Sequence, residues 1–393
     1  MAKGSKTSLY CYRRRTEEVT HPTPNSRTFP ATRVPSLSSS RGHPALSVVF
    51  SLSQMNLARA CSWSRAPGRA PLLRCLQPSS PTQRPLSNVP RAIRKVGVVG
   101  LGLMGHGVAQ VCAQANYQVV AIELQKPFLD SGMKRIETSL SKVIGKDVQK
   151  GKYKSEEEGK KVYDTIMKNI IPTTSLADAK DCDLIIEAIA ENMDLKLNFY
   201  KNLGPIINKD CIFASNTSSL QITAMALASG RADKFVGLHF FNPVQIMKLV
   251  EVIRCDATSN NAFDSVLAFG KSINKQTVSC RDTPGFIVNR LLVPYLTQAL
   301  AMYDRKEATI QDIDISMQLG AGHPMGPLHL SDYIGLDTMY NILVGWKKDY
   351  PHEAAFIIPK CLEDKVKEGN LGRKTGKGFY VWNGDKAVSP IEQ

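Results

Sequence analysis

The sequence predicts an α/β protein with a doubly wound, mostly parallel sheet, followed by an all-α C-terminal domain. Short apolar runs typical of strands alternate with helix-prone segments between residues 95 and 282. A glycine-rich turn follows the first of these runs. Beyond residue 283 the apolar residues keep helical spacing, without strand alternation until the tail. We therefore divide the chain into residues 1–94, 95–282 and 283–393.

The 393-residue chain carries a formal charge of +15, and nearly all of it lies in the N-terminal segment. Residues 1–95 contain 16 basic and two acidic residues, whereas residues 96–393 contain 34 basic and 33 acidic residues. The body of the protein is near-neutral, which removes the main argument for a nucleic-acid partner. No run of about 18 apolar residues occurs, so the sequence predicts no membrane-spanning helix.

The composition of the first segment is that of a leader. Residues 1–95 contain 11 of the 22 prolines and 15 serines, and no acidic residue occurs between Glu18 and Glu123. Because such a segment cannot bury enough apolar surface to offset its ordering entropy, we expect 1–94 to be disordered. A Ser- and Arg-rich leader that lacks acids is typical of a transit peptide, which predicts the mitochondrial matrix. An arginine-spaced stretch that begins at Met55 suggests a start site there; the alternative is a basic tail without a targeting role.

The cysteines predict neither disulfides nor a metal site. Nine cysteines are widely spaced, with no C-x-x-C pair and no zinc-ligand spacing. Reduced thiols in a matrix or cytosolic protein fit this pattern better than a disulfide framework does.

A dinucleotide-binding turn is predicted where the first apolar run ends. Residues 95–99 form that run, and apolar residues at helical spacing follow the turn. Gly100 permits a tight turn, Gly102 lets the backbone approach a pyrophosphate, and Gly105 allows a helix to pack closely on the strand, as in Rossmann-like domains. The free amides of the helix N-terminus favour phosphate. The alternative is a purely structural glycine turn. The residues predicted to contact the cofactor here are Gly100, Leu101, Gly102, Leu103, Met104 and Gly105.

The acid that follows the second apolar run predicts which dinucleotide binds. Residues 118–122 form this run, and Glu123 ends it about 20 residues beyond the glycines. A carboxylate at this position accepts a hydrogen bond from the ribose 2′-hydroxyl and repels a 2′-phosphate. The sequence therefore predicts NAD rather than NADP.

Two further strand-like runs carry a histidine and an acid. His239 lies in the stretch 235–243, which reads as a strand running into a turn, and Glu251 lies among apolar residues in the run 249–253. Neighbouring antiparallel strands would bring the carboxylate to the imidazole and fix its tautomer. An alcohol dehydrogenase needs such a base to take the hydroxyl proton. Taken singly, His239 could be a hydrogen-bonded core residue and Glu251 could point to solvent.

The chain from about Lys95 to Trp382 resembles the L-3-hydroxyacyl-CoA dehydrogenase family, specifically the monofunctional mitochondrial type of fatty-acid β-oxidation. The motifs that carry the resemblance are GLGLMGHGVAQ, EAIAEN, ASNTSSLQI, GLHFFNPVQIMKLVEVI, DTPGFIVNRLLVPYL, GAGHPMGP and GRKTGKGFY. HFFNP followed by DTPGFIVNR is highly specific, whereas the glycine motif is not. The resemblance implies NAD-dependent oxidation of an L-3-hydroxyacyl-CoA and a homodimer formed through the C-terminal helical domain.

The resemblance also assigns roles to individual residues. By position, His239 is the catalytic base, Glu251 orients it, and Ser218 and Asn289 hold the substrate's 3-oxygen. Without the resemblance, Ser218 could be a helix N-cap residue and Asn289 a buried helix asparagine. Further cofactor contacts are implied at Glu191, Lys196, Ser218, Asn242 and Lys374. Contacts with the CoA substrate are implied at Ser139, Lys146 and Ser218.

The sequence departs from the family pattern at two positions near the glycine turn. Glu123 stands where aspartate is usual, and His106 stands where a small residue is usual. Two other functions stay open at this point. One is an NAD-dependent 3-hydroxyacid dehydrogenase of similar fold, of the gulonate dehydrogenase type, which would lack a CoA groove. The other is a non-catalytic structural homologue.

The C-terminal segment predicts two helix starts. Asp282-Thr283-Pro284 fits the beginning of a helix with proline in its first turn. Thr309 with Asp312 resembles a capping box, and Gly320 is placed to end the helix that follows.

Overall fold

The computed structural model describes residues 91–391. The predicted leader, including the transit peptide and the start at Met55, therefore lies outside the described residues, apart from its last four positions. The strands are β1 (Lys95–Val99), β2 (Gln118–Ile122), β3 (Ile170–Thr173), β4 (Leu184–Glu187), β5 (Ile212–Ser215), β6 (Phe235–Phe240), β7 (Leu249–Arg254), β8 (Gln276–Arg281), β9 (Tyr380–Asn383) and β10 (Lys386–Pro390). The helices are α1 (Gly105–Gln114), α2 (Lys126–Gln149), α3 (Glu156–Lys168), α4 (Met193–Leu203), α5 (Ile222–Ala228), α6 (Asn260–Ser272), α7 (Val288–Asp304), α8 (Ile310–Ile315), α9 (Pro327–Ile334), α10 (Leu336–Asp349) and α11 (Lys360–Lys367).

The first eight strands form one sheet in the order β3-β2-β1-β4-β5-β6-β7-β8. Strands β1 to β6 are parallel to one another, β7 runs antiparallel to β6, and β8 runs parallel to β7. The order reverses between β1 and β4, which is the switch point where α/β sheets bind ligands. The predicted mostly parallel, doubly wound sheet is confirmed.

The sheet is buried on both faces because apolar residues occupy both sides of its strands. In β1, Val98 packs into the hydrophobic cluster on one face and Val99 into the cluster on the other. In β2, Ala121 and Ile122 divide in the same way. Continuous apolar runs, rather than alternating ones, are the sequence signature of such strands.

The predicted helix start at 282–284 is wrong, because α7 begins at Val288. The intervening turn contains Gly285 at φ +72° and Phe286 at φ +57°, which an α-helix does not allow. Asp282 does cap a helix, but it caps α5: its carboxylate accepts hydrogen bonds from the backbone N–H groups of Ile222 and Thr223. Asp282 therefore precedes α7 in the sequence but caps α5, a helix that is distant from it along the chain.

The C-terminal region is helical, as predicted, and ends in a small β9–β10 hairpin. The Thr309 hydroxyl accepts a hydrogen bond from the Asp312 N–H and so caps α8, and a π-helical turn that follows α8 ends at Gly320. Both details confirm the predicted cap and stop. The region has its own apolar core around Leu300, Leu336 and Phe379. None of the helices between residues 91 and 391 is long and apolar enough to cross a membrane.

Candidate active site

A cleft of about 520 Å³ opens at the carboxyl ends of the central strands. This is the position at which doubly wound sheets bind dinucleotides. The cleft brings together residues that the sequence places more than 180 positions apart. The predicted site residues that line it are Gly102, Leu103, Met104, Glu191, Ser218, His239, Asn242 and Asn289.

The glycine turn between β1 and α1 has the geometry that a pyrophosphate requires. Gly100 has φ +89°, and a Cβ on Gly105 would lie 1.6 Å from the Gly100 carbonyl oxygen, so neither position accepts a side chain. A Cβ on Gly102 would meet no atom within 4 Å, so this backbone faces open space on the cleft. No side chain caps the first turn of α1, which leaves its amides available for an anion. The turn fits the diphosphate of a dinucleotide.

Glu123 lies where the adenosine ribose of such a dinucleotide is expected. It directly follows β2, and its Oε2 accepts a hydrogen bond from the Leu101 N–H at 3.2 Å. Its Oε1 accepts one from the Leu124 N–H at 3.1 Å. The half-buried carboxylate is therefore held beside the glycine turn with acceptor positions left for a ribose hydroxyl.

His239 and Glu251 are direct cross-strand partners in the β6–β7 pair. The Nδ1 of His239 lies 2.7 Å from Oε2 of Glu251, and the two residues are 5% and 0% exposed. Oε1 of Glu251 accepts hydrogen bonds from the backbone N–H groups of Ile287 at 3.1 Å and Val288 at 2.8 Å. An ionised carboxylate only accepts, so Nδ1 of the imidazole is the donor and Nε2 keeps a lone pair. The structure thus brings the predicted pair together.

Ser218 and Asn289 meet across the boundary between the two regions. The side-chain amide of Asn289, in the first turn of α7, donates to the Ser218 carbonyl oxygen at 3.2 Å. Gln221, not Ser218, occupies the N-cap of α5, and Asn289 is half-buried on the cleft. The N-cap and buried-asparagine alternatives therefore do not hold.

Glu191 organises the loop that carries Ser218. Its Oε1 accepts from the Thr217 hydroxyl at 2.6 Å, from the Ser218 N–H at 2.9 Å and from the Ser218 hydroxyl at 3.2 Å. Glu191 lines the cleft itself, with 38% of its side chain exposed. In this structure Glu191 therefore stabilises the loop through these three hydrogen bonds.

Lys196 and Lys374, also predicted to contact the cofactor, lie outside the cleft lining and pair with carboxylates. Lys196 is 1% exposed, and its ammonium sits between Glu187 at 2.5 Å and Glu191 at 3.4 Å. Lys374 forms an ion pair with Asp337 of α10 in the C-terminal region. Their predicted contacts with the cofactor therefore need Lys196 to act through Glu191 and Lys374 to leave its partner.

The predicted CoA residue Ser139 lines a second groove, of about 500 Å³, between α2 and the segment after β6. Lys134 and Lys142 line the same groove, with the largely exposed Ile246 opposite. Lys146 is exposed two turns beyond Ser139 on the same helix, outside the groove lining. Cations beside apolar surface suit a large anionic ligand that also carries apolar groups.

Sequence reasoning missed two residues of the site. Asn216 accepts a hydrogen bond on Oδ1 from the Phe240 N–H at 2.8 Å and so fixes the strand end beside His239. Glu187 is a fully buried carboxylate at the end of β4. The available signals were an acid within the apolar run 183–189 and an asparagine directly after the next strand.

Comparison with known protein families gives two adjacent matches. The family model described as "3-hydroxyacyl-CoA dehydrogenase, NAD binding domain" matches residues 95–283. The model described as "3-hydroxyacyl-CoA dehydrogenase, C-terminal domain" matches residues 285–382. The matched segments contain every residue of the cleft described above.

Individual relatives agree with the family matches. The human protein named hydroxyacyl-coenzyme A dehydrogenase, mitochondrial, is 46% identical over 290 residues, which are 74% of this chain and 91% of the human protein. The probable 3-hydroxybutyryl-CoA dehydrogenase of Deinococcus radiodurans is 44% identical over 73% of this chain and 100% of its own length. The crystal structure of (S)-3-hydroxybutyryl-CoA dehydrogenase PaaH1 from Ralstonia eutropha matches with a TM-score of 0.70 at 38% identity, covering 74% of this chain and 100% of that chain. This chain therefore belongs to the 3-hydroxyacyl-CoA dehydrogenase family and carries its NAD-binding domain.

Proposed function

We propose that this protein oxidises L-3-hydroxyacyl-CoA to 3-oxoacyl-CoA with NAD in fatty-acid β-oxidation, and that His239 is the general base. The observation that carries the proposal is the 2.7 Å contact between His239 and Glu251 in the cleft that also contains the glycine turn. The names of the relatives support the thioester substrate.

The residues of the cleft fit NAD. The glycine turn at 100–105 holds the diphosphate with backbone amides, and Glu123 accepts from the ribose hydroxyl. Glu191, Ser218 and Asn242 border the nicotinamide end, with Lys196 acting through Glu191 and Lys374 joining from the C-terminal region. When bound, NAD supplies the acceptor for the hydride that leaves the 3-carbon of the substrate.

The protein's own side chains manage the proton and the oxygen. His239 accepts the proton of the 3-hydroxyl group at Nε2, because Nδ1 is engaged by Glu251. The carboxylate of Glu251 then stabilises the imidazolium, and its two backbone donors keep it in place. Ser218 and Asn289 hold the 3-oxygen while it becomes a carbonyl oxygen. In the reverse direction His239 returns the proton.

The CoA moiety is assigned to the groove beside α2. Ser139 provides a hydrogen bond there, and Lys146 at the end of the helix pairs with an anionic phosphate. Lys134 and Lys142 add positive charge along the same groove. A free 3-hydroxyacid would leave all of these groups unused.

We assign the C-terminal helical domain to the dimer interface. Its first helix, α7, is also assigned to part of the substrate site. It exposes large apolar side chains, which include Leu291, Met302, Ile315, Leu319 and Val344. Exposed apolar residues of this kind fit the surface of a homodimer. Segment 1–94 is assigned as a transit segment for the mitochondrial matrix, and relatives named as mitochondrial proteins support a mitochondrial location.

The test is NADH formation by purified residues 91–393. We expect oxidation of L-3-hydroxybutyryl-CoA and little oxidation of free 3-hydroxybutyrate, since only the thioester engages the groove beside α2. Equal rates with both substrates would favour a general 3-hydroxyacid dehydrogenase. Absence of NADH with both substrates, from protein that binds NAD, would favour a non-catalytic homologue.

A further inference from the structure

Glu187 is a buried carboxylate at the floor of the site, and the chemistry described above leaves it without a role. It is the last residue of β4, is 0% exposed and pairs in register with Ser215 at the end of β5. The loop that carries Ser218 begins directly after Ser215. Glu187 is therefore placed where it can act on that loop.

All four hydrogen-bonding positions of the Glu187 carboxylate are in use. Oε1 accepts from the Lys196 ammonium at 2.5 Å and from the Ile189 N–H at 2.9 Å. Oε2 accepts from the Ser215 hydroxyl at 2.7 Å and from the Tyr200 hydroxyl at 3.2 Å. Burial, and then the charge of Glu187, raises the pKa of the Tyr200 phenol, so this group stays a donor. Donors on both oxygens fix the carboxylate in one orientation.

The Lys196 ammonium connects this carboxylate to the cleft. Besides Glu187 it contacts Oε2 of Glu191 at 3.4 Å, while Oε1 of Glu191 holds the backbone N–H and the hydroxyl of Ser218. Glu187 thus holds the loop at two points. One is direct, through the Ser215 hydroxyl, and the other runs through Lys196 and Glu191.

Stability alone is a weak reason for this arrangement. Replacing a buried ion pair by apolar side chains of similar volume is often neutral or stabilising, because two charges must be taken out of water. A carboxylate that accepts four hydrogen bonds does, however, restrict the positions of its donors, because each hydrogen bond is favourable only over a narrow range of distance and angle. The geometry therefore favours a role in alignment.

We infer that Glu187 is a positioning residue for the dehydrogenase reaction, which fixes the 215–219 loop so that the Ser218 hydroxyl stays at the substrate's 3-oxygen. The inference rests on the proposed function and on the role given there to Ser218. Glu187 does not line the cleft, so it acts only through its neighbours.

The test begins with Glu187→Gln, which keeps the shape of the side chain. Its amide group can no longer accept from all four donors and leaves Lys196 free to move toward Glu191. We expect kcat with L-3-hydroxybutyryl-CoA to fall about 10²-fold, as for a misplacement of about 1 Å. Glu157→Gln, the same change at an exposed glutamate of α3, is the matched control. Its kcat is expected to stay within about threefold of wild type.

A double-mutant cycle with Ser218→Ala separates alignment from general damage. If Glu187 acts through Ser218, then Glu187→Gln lowers kcat by less than about threefold when Ser218 is already alanine. An equal loss in both backgrounds overturns the inference, as does a folded Glu187→Gln protein with wild-type kcat. If Glu187→Gln does not fold, Ser215→Ala replaces it in the same cycle with the same expected non-additivity.

Failure of the proposed function would look different. Wild-type protein would then not oxidise L-3-hydroxybutyryl-CoA, or Ser218→Ala alone would leave kcat unchanged, and either result removes the basis of the inference as well. An active wild type, a slow Ser218→Ala variant and an additive cycle would overturn only the role of Glu187.

Discussion

Glu251 serves two parts of the molecule with its two oxygens. Oε2 accepts from His239 in the neighbouring strand, and Oε1 accepts from the N–H groups of Ile287 and Val288 at the start of α7. The helix N-terminus favours a negative charge at this point. The contacts of Glu251 therefore orient its carboxylate toward Nδ1 of His239 and leave Nε2 facing away from it.

Replacing His239 by alanine should remove the base while leaving the nucleotide turn intact. We expect kcat for L-3-hydroxybutyryl-CoA oxidation to fall about 10²–10⁴-fold, the usual contribution of a positioned base. The measurement is steady-state NADH formation, with the Kd for NADH from fluorescence titration as the control for folding. A His239→Ala variant that keeps its kcat would exclude the imidazole as the base.

Replacing Glu123 by serine should change the choice of cofactor. The variant loses the acceptor for the 2′-hydroxyl together with the charge that repels a 2′-phosphate, so NAD should bind more weakly by about tenfold while NADP is little affected or improves. The measurement is the ratio of kcat/KM for the two cofactors. Glu137→Ser, at an exposed position of α2, is the control and should leave that ratio unchanged. Equal losses for both cofactors would contradict the role of Glu123.

Among single residues, the sequence predicts those whose role follows from a local motif. The glycines at 100–105 and the apolar runs around His239 and Glu251 are of this kind. The contacts of Glu187 could not be predicted, because three of its donors come from α4 and β5, which only the fold brings to the end of β4. Burial of Lys196 was hidden for the same reason.

At the scale of elements, two buried carboxylates hold the C-terminal helices and the tail in place. Asp314 accepts from the Leu328 N–H at the start of α9. Asp332, in α9, accepts from the N–H groups of Phe379 and Tyr380 and from the indole N–H of Trp382, each at 2.9 Å. Asp332 therefore fastens the start of the β9–β10 hairpin to α9, and Asp314 adds a contact by accepting from the Tyr380 hydroxyl at 2.6 Å.

Asp332→Asn should loosen this fastening. Its amide group would face donors instead of accepting from them, so the free energy of unfolding should fall by about 1–3 kcal/mol. The measurement is guanidinium unfolding followed by fluorescence, to which Trp382 contributes. Asp385→Asn removes a surface ion pair with Arg373 and is the control, with an expected change below about 0.5 kcal/mol. Equal stability of the two variants would show that Asp332 does not fasten the hairpin.

The same residue predicts a pH dependence. Burial raises the pKa of the Asp332 carboxyl above its ordinary value of 3.8, although the hydrogen bond from Trp382 opposes this. The folded protein therefore holds a proton at pH values where the unfolded chain has released it, so the contribution of Asp332 to stability is largest below 3.8 and is lost as pH rises through the folded pKa. We expect the difference in free energy of unfolding between wild type and Asp332→Asn to narrow as pH rises from 3.8 through the folded pKa. A difference that widens over this range would contradict the direction of the shift.

The elements also show where sequence patterns mislead. Apolar runs predict the central strands of the large sheet, because strands buried on both faces must be apolar throughout. The edge strands β3 and β8 were not predicted, because they are only partly buried. The start of α7 was misplaced because Asp282 has the look of a local cap while its carboxylate accepts from α5, some 60 residues earlier. A capping residue is defined by the backbone N–H groups that donate to it, and the sequence does not show which groups these are.

At the scale of the whole molecule, the site exists only where the two regions meet. The NAD-binding domain supplies His239 and Ser218, while α7 supplies Asn289 and the two amides that hold Glu251. A shift of α7 relative to the sheet would disturb the proposed base and the proposed oxygen contacts together. The surface that keeps the helical domain in place is therefore as important for the reaction as the side chains in the cleft.

The proposed homodimer would support that surface, and it can be tested through exposed leucines. Leu291 on α7 and Leu319 beyond α8 are 69% and 83% exposed, and burial of two such side chains per subunit contributes several kcal/mol to association. We expect Leu291→Glu combined with Leu319→Glu to give a monomer in sedimentation velocity, because two charges per subunit would have to be buried without partners.

Leu227→Glu, at a leucine of α5 that is 67% exposed in the NAD-binding domain, is the control and should remain a dimer. A wild type that sediments as a monomer would exclude the homodimer. A double variant that stays dimeric would place the interface elsewhere. If the dimer supports α7, the monomeric variant should also lose kcat while keeping the Kd for NADH, because the glycine turn lies entirely within the other domain.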